Sequence, residues 1–159
     1  MADVRFVSLN DIPKEKIISL MNDPLVGEQL PLLQGGFSTA DCEAFLTVKQ
    51  KLWDDHGYGP WAFVIDGEFA GWGGLQEEEG EADFALVLDP RFWGCGLRIF
   101  RKVCDQAFEE MKLAAITILL PPSRKNTRAV LRMGFVEDRP LSVAGETFRR
   151  FRLEKPNPV

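Results

Sequence analysis

Arg91, Gly94 and Gly96 stand close together in the stretch Asp89-Pro90-Arg91-Phe92-Trp93-Gly94-Cys95-Gly96-Leu97. An arginine beside a pair of glycines at the start of a helix is chemistry suited to phosphate. The first backbone N–H groups of a helix lack internal partners, and the helix dipole places partial positive charge there. Glycines remove the Cβ atoms that would keep an anion away from those donors, and an arginine adds a charge-assisted contact. The grouping is suited to cradling a pyrophosphate. The same two glycines could also do nothing more than make a turn, since a short glycine motif carries little weight alone.

The elements around the motif are well marked. The apolar run Phe84 to Leu88 reads as a buried strand, stopped by Asp89-Pro90 because proline has no N–H for a ladder. Leu97, Phe100, Val103, Cys104, Ala107, Phe108 and Met111 recur with helical spacing, so the spacing predicts a helix from Gly94 to about Lys112. A dinucleotide fold is a poor match: Ile99 occupies the place of the third glycine in G-x-G-x-x-G. The next strand ends Leu119-Leu120-Pro121-Pro122, with no acidic residue for a ribose. The phosphate-loop pattern G-x-x-x-x-G-K-[ST] is absent.

The whole chain narrows the choice of function. Its 159 residues suit one domain over 1–154 with a short polar tail at 155–159, and 45% hydrophobic with 27% charged residues is ordinary globular composition. A net charge of −5 argues against nucleic-acid binding and fits amine-bearing partners more readily. Cys42, Cys95 and Cys104 lack metal-ligand spacing and His56 is the only histidine, so no metal site is expected. No signal peptide and no apolar run near the ~18 residues of a membrane span are visible. The expected setting is the reducing cytoplasm.

Taken in order, Val4 to Leu9 reads as a strand, followed by a helix ending near Met21 with Ile17, Ile18, Leu20 and Met21 apolar. Leu25 to Phe37 reads as a helical turn and loop. Its apolar Leu30 to Gly36 could be a packed connector or a pocket wall. Ser38 and Asp41 form a capping-box pair for a helix with Ala44, Phe45, Val48 and Leu52 inward and Gly57 as its C-terminal cap. His56 is read as a solvent-facing turn residue. Asp66-Gly67 joins the strands Trp61 to Ile65 and Glu68 to Leu75 in a tight hairpin, and Gln76 to Glu81 reads as an acidic turn. Beyond the long helix come a strand Ala115 to Leu120, a helix Arg124 to Met133, and a closing pair, Phe135-Val136 with Thr147 to Leu153. The predicted fold is α/β, a mixed and mostly antiparallel sheet with one parallel crossover pair, flanked by helices.

Arg91-x-x-Gly94-x-Gly96 after a strand, then Ser123 to Phe135 closing on Met-Gly-Phe, resemble the GNAT superfamily of acyl-CoA-dependent N-acetyltransferases. Asn22-Asp23-Pro24, Leu30-Pro31, the Trp61 hairpin and Asp83 to Pro90 resemble its Rim-type ribosomal-protein branch. The resemblance spans nearly the whole chain. It implies a cytoplasmic acyltransferase that moves acetyl from acetyl-CoA to a primary amine by direct attack. It implies that Leu86 and Leu88 pair through their backbone with the pantetheine arm. Arg91, Trp93, Gly94, Cys95, Gly96 and Leu97 would hold the pyrophosphate; Ser123 and Asn126 could both hydrogen-bond pantetheine, or Ser123 could simply cap the helix.

The reaction needs a proton acceptor for the amine, and a carboxylate or its bound water can serve. Asp83 stands where the branch often carries glutamate, and Glu81, two residues earlier on the same face, is the alternate. Many members carry a tyrosine four residues before the Gly-Phe, to protonate the leaving thiolate; this chain has Val130 there, and its only tyrosine is Tyr58. That departure leaves a second reading open, a non-catalytic acyl-CoA-binding or interaction module. The acidic run Glu77 to Glu79 with Glu81 and Asp83 favours a cationic acceptor, either a peptide N-terminus or a small amine. The branch leaves room for a homodimer paired through a sheet edge, although nothing in the sequence marks such an edge.

Overall fold

The computed structural model describes residues 3–28, 36–122, 124 and 127–156. Ser123, Asn126 and most of the apolar stretch 30–36 lie outside the described residues. Strands β1 (Val4–Val7), β2 (Pro60–Ile65), β3 (Glu68–Glu78), β4 (Glu81–Leu88), β5 (Ala115–Leu120), β6 (Val136–Glu137), β7 (Leu141–Val143) and β8 (Glu146–Glu154) build one mixed sheet. Its order is β1-β2-β3-β4-β5-β8-β6, with β7 paired to β8. Every pairing is antiparallel except β4 with β5, as the sequence pattern predicts.

The helices divide between the two faces. On one face lie α1 (Lys14–Met21), α2 (Pro24–Glu28) and α3 (Thr39–His56). Ile17, Leu20, Met21, Val26 and Cys42 bury there against Ala62, Trp72 and Val87. On the other face α4 (Gly96–Asp105) brings Ile99, Phe100 and Val103 onto Phe63, Leu75, Phe84 and Ile116. Val130 of the short α5 (Arg128–Arg132) joins that second cluster. Strand alternation explains the division: neighbours such as Ala62 and Phe63 point to opposite faces.

Local chemistry fixes several boundaries. Ser38 accepts the Asp41 N–H at 3.1 Å while Asp41 accepts the Ser38 N–H at 2.8 Å, closing the predicted capping box of α3. Gly57 ends that helix with φ of 75°, a left-handed cap that glycine adopts without a Cβ penalty. The Asp66-Gly67 hairpin also takes the positive φ values predicted for it.

Other boundaries differ from the sequence expectation. The long helix is three pieces: a 3-10 turn Pro90–Cys95, α4, and a π turn Gln106–Glu110. Asp89 starts the first piece by accepting the Arg91 N–H at 2.9 Å, with Pro90 fixing the following φ. The acidic turn is shorter than expected, because β3 runs to Glu78 and only Glu79-Gly80 turn, both at positive φ. β1 ends at Val7, and Leu9 begins a 3-10 turn. The inward stripe of α3 is also rotated from the expected one. Ala44 and Val48 are exposed, while Cys42, Phe45, Leu46 and Lys49 turn inward.

Candidate active site

The crevice is written in the strand pairing. β4 pairs with β5 only through Asp83 opposite Thr117 and Phe84 opposite Ile118. β4 then continues to Leu88 on its β3 side alone. The two parallel strands therefore part after Phe84, leaving the β5-facing edge of Ala85–Leu88 without a strand among the described residues. Antiparallel register says which groups line that edge. The Asp89 N–H donates to the Ala70 carbonyl at 2.8 Å, which makes Leu88–Gly71 and Leu86–Gly73 the non-hydrogen-bonded pairs. The backbone groups of Leu86 and Leu88 consequently face away from β3, toward the opening. One is already engaged: the Trp93 indole N–H donates to the Leu88 carbonyl at 2.9 Å.

At the mouth of this edge stands the start of α4. Gly96 has φ −56° and ψ −42°, right-handed helical values, and Gly94 is not among the residues with positive φ. A Cβ on Gly94 would meet nothing within 4 Å, and one on Gly96 would only touch Leu86 Cδ2 at 3.5 Å. Neither backbone conformation nor protein packing calls for glycine here, so the simple-turn reading loses its physical basis. The space over Gly94 is open to a ligand, and that over Gly96 is bordered only by the Leu86 side chain. Arg91 lies beside it, held in exposed pairs with Asp89 at 3.3 Å and Glu68 at 3.6 Å. Pairs this exposed are weak, and a phosphate can replace them. Leu97 is exposed, and Cys95 is a half-buried side chain packed against the α4-side core.

At the base of the crevice sits a buried polar group. Asp83 is only 8% exposed, and its Oδ1 accepts the Thr117 hydroxyl at 2.8 Å. Burial raises its carboxyl to about 7, with Glu78 adding in the same direction, while the Thr117 bond and the Arg150 charge oppose it. A group titrating near neutrality, at the point where two strands separate, is equipped to exchange a proton there.

Around Asp83, on the face shared with α3, β3 contributes Gln76 and Glu78 and β8 contributes Arg150 and Arg152. Lys49 reaches in from α3, hydrogen-bonds Gln76 Oε1, and lies 5.4 Å and 5.1 Å from the Phe45 and Trp72 ring centroids. Burial lowers its ammonium to about 8, against the pull of Glu78. Burial and its acidic neighbours raise Glu78. Lys49 and Arg150 were not singled out from the sequence. The only signal for Lys49 is its spacing, since it continues the buried stripe from Cys42 and Phe45.

Glu81 has a different fate from Asp83. The Arg152 guanidinium grips its carboxylate from Nη1 at 3.1 Å and Nη2 at 2.6 Å, and meets Asp138 through Nε at 3.2 Å. That bond holds the Glu81 carboxyl below its ordinary range, the wrong direction for a base working near neutral pH.

The family model described as the acetyltransferase (GNAT) domain matches residues 4–136. The chain belongs to the GNAT acetyltransferase family. Solved structures agree on the fold across nearly the full length. One is assigned as a ribosomal-protein-serine acetyltransferase from Vibrio cholerae; it is 18% identical, with 96% of this chain and 93% of that one covered, at a TM-score of 0.69. A variant of the spermidine N-acetyltransferase SpeG from Vibrio cholerae is 17% identical, covering 97% and 94%, at 0.66. The yncA protein of Salmonella typhimurium, assigned as an acetyltransferase and solved with its cofactor acetyl-CoA, is 15% identical, covering 99% and 95%, at 0.67.

This GNAT chain is therefore an acetyl-CoA-dependent acetyltransferase. The open β4 edge and the bare helix start suit the two halves of the cofactor, an amide-rich arm and a pyrophosphate. Among the described residues, no helix is long and apolar enough to cross a membrane, and no cluster of side chains could hold a metal. Where many members carry tyrosine, Val130 is 2% exposed and packed in the α4-side core. Tyr58 packs against that same core, and burial together with the charges of Glu77 and Glu81 raises its phenol, which keeps it protonated. His56 ends α3 exposed. Burial raises the Cys104 thiol to about 12 and also raises Cys42, which leaves both unsuited to act as nucleophiles.

Proposed function

We propose that the protein acetylates a primary amine by direct attack on acetyl-CoA, with Asp83 as the general base. Leu86 and the Leu88 N–H bind the pantetheine arm as an added strand. Gly94, Cys95, Gly96 and Leu97 receive the pyrophosphate on their backbone, while Arg91 swings to it and Trp93 steadies the strand end. Ser123 and Asn126 remain proposed pantetheine contacts. The acceptor enters from the α3 face. Its nitrogen bonds to the acetyl carbon, the carbon–sulfur bond breaks, and the nitrogen's proton passes to Asp83 directly or through one water. The thiolate departs into the open crevice and takes a proton from solvent. Three free cysteines accord with a reducing cytoplasmic setting.

The observation that carries this reading is Asp83 itself: buried, held by Thr117, and raised to about 7 where β4 and β5 separate. The test is release of CoA thiol from acetyl-CoA with a panel of primary amines, with the acetylated product confirmed by mass. Transfer to at least one amine, reduced about a hundredfold or more in Asp83→Asn, is expected. Tight CoA binding without transfer to any amine would instead establish the non-catalytic module.

A further inference from the structure

β8 carries three arginines with different partners. Arg149 meets Glu137 side-on, donating from Nε and Nη2 to the two carboxylate oxygens at 3.0 Å each. Arg152 spends its guanidinium on Glu81 and Asp138. In Arg150 the side-on edge is empty: Nε and Nη2 are both buried and have no hydrogen-bond partner among the described residues. Leaving buried charged donors unmade is costly, so such a group points to something that completes it.

The position of Arg150 says what kind of molecule that is. It lies opposite Leu119 on β5, two residues from Arg152, which lies opposite Thr117. Period-two alternation thus puts Arg150 on the face of Thr117 and Asp83. Its charge acts on both Asp83 and Glu78, yet neither carboxylate reaches the empty edge. Two members of the acidic run that favours a cationic acceptor in the sequence are engaged within the protein. Glu81 is held by Arg152, and Glu77 accepts the Gly80 N–H at 2.8 Å.

We infer that Arg150 is a specificity residue that receives a carboxylate of the acceptor, so that the substrate is an amine bearing a carboxylate rather than a polyamine. This deepens the acetyl-transfer reading and rests on it. The Nε–Nη2 edge is the fork that Arg149 already uses on a carboxylate one residue away, and its two parallel N–H groups match the two oxygens of such a group.

The experiment uses the full chain and acceptor pairs differing only in the carboxylate: lysine and cadaverine, arginine and agmatine, tyrosine and tyramine, histidine and histamine. CoA release is followed for each. In parallel, calorimetry on the CoA-loaded protein measures binding of the N-acetyl derivatives of the same pairs. In at least one pair, the carboxylate member should be favoured about tenfold or more in kcat/KM and in product binding. Arg150→Gln should abolish that preference through KM while acetyl-CoA affinity is retained, and Arg150→Lys should recover only part of it. Equal or better use and binding of the decarboxylated member in every pair would overturn the inference. A preference that survives in Arg150→Gln would also overturn it. Failure to transfer to any amine, with carboxylate-dependent product binding intact, would remove the base mechanism but leave the Arg150 assignment standing.

Discussion

The Thr117 hydroxyl donates to Asp83 Oδ1 at 2.8 Å across one of the two parallel pairings that β4 and β5 make before they separate. That bond occupies one carboxylate oxygen and fixes the other relative to the opening. Thr117 is fully buried, so the orientation is set by the sheet rather than by solvent. Thr117→Val keeps the side chain's shape and removes the donor. It should raise the Asp83 carboxyl further and move the acidic limb of the pH–rate profile to higher pH. An unmoved limb would show that the Thr117 bond does not tune Asp83.

Glu81 gives the complementary expectation. Arg152 already holds its carboxylate in a two-point pair, so Glu81→Gln should lower stability by about 1 kcal/mol. Turnover should stay within about threefold, because the group takes no part in proton transfer. Denaturant titration gives the first quantity and initial rates the second. A loss of turnover as large as that expected for Asp83→Asn would exchange the roles of the two acids.

Gly94→Ala and Gly96→Ala separate ligand binding from folding. An added Cβ meets open space at Gly94 and ordinary contact at Gly96, and both backbones avoid positive φ. The melting temperature of the free protein should be unchanged or slightly raised, since alanine suits a helix start better than glycine. Acetyl-CoA affinity should fall about tenfold or more as the methyl group meets the pyrophosphate. Undiminished affinity in both variants would take the cradle away from these residues.

Two buried ionisable groups give stability trends of opposite sign. The Asp83 carboxyl rises from 3.8 to about 7 on folding, so its contribution is fully present below pH 3.8 and is lost as pH rises through about 7. Asp83→Asn should therefore gain stability relative to wild type across that window and level off above it. The Lys49 ammonium falls from 10.5 to about 8, so its contribution is fully present above pH 10.5 and is lost as pH falls through about 8. Lys49→Met, which can fill the same space between Phe45 and Trp72, should show its largest advantage below pH 8. Chemical denaturation at pH steps from 4 to 11 reads both trends, and parallel wild-type and variant curves would contradict them.

Much of this architecture was legible in local sequence chemistry. Ser38 with Asp41, Gly57 and Asp66-Gly67 carry their backbone geometry in residue type, and the apolar runs Phe84–Leu88 and Ala115–Leu120 allowed only buried strands. The segmentation of the long helix was hidden because Leu97 through Met111 keep one periodicity through 3-10, α and π turns alike. β7 was missed because Leu141–Val143 is three residues long and turns back through Ala144-Gly145. At the proposed site, Asp83 is suggested by the family resemblance and the glycines by their place at a helix start. Arg150 and Lys49 are not so marked: one is an arginine among arginines, the other a lysine in a mixed helix. Their environments are made by pairing between strands and by packing of α3 on the sheet, which no local pattern records.

The most direct test of the mechanism is the pH dependence of kcat/KM for acetyl transfer in wild type and Asp83→Asn, using the fastest acceptor of the amine panel. The wild type should show an acidic limb with an apparent pKa near 7, falling about tenfold per pH unit below it, as expected for a base that must be ionised. Asp83→Asn should lose that limb along with about a hundredfold of rate, and keep its affinity for acetyl-CoA. A variant that retains both the limb and the rate would contradict the assignment of Asp83 as the base.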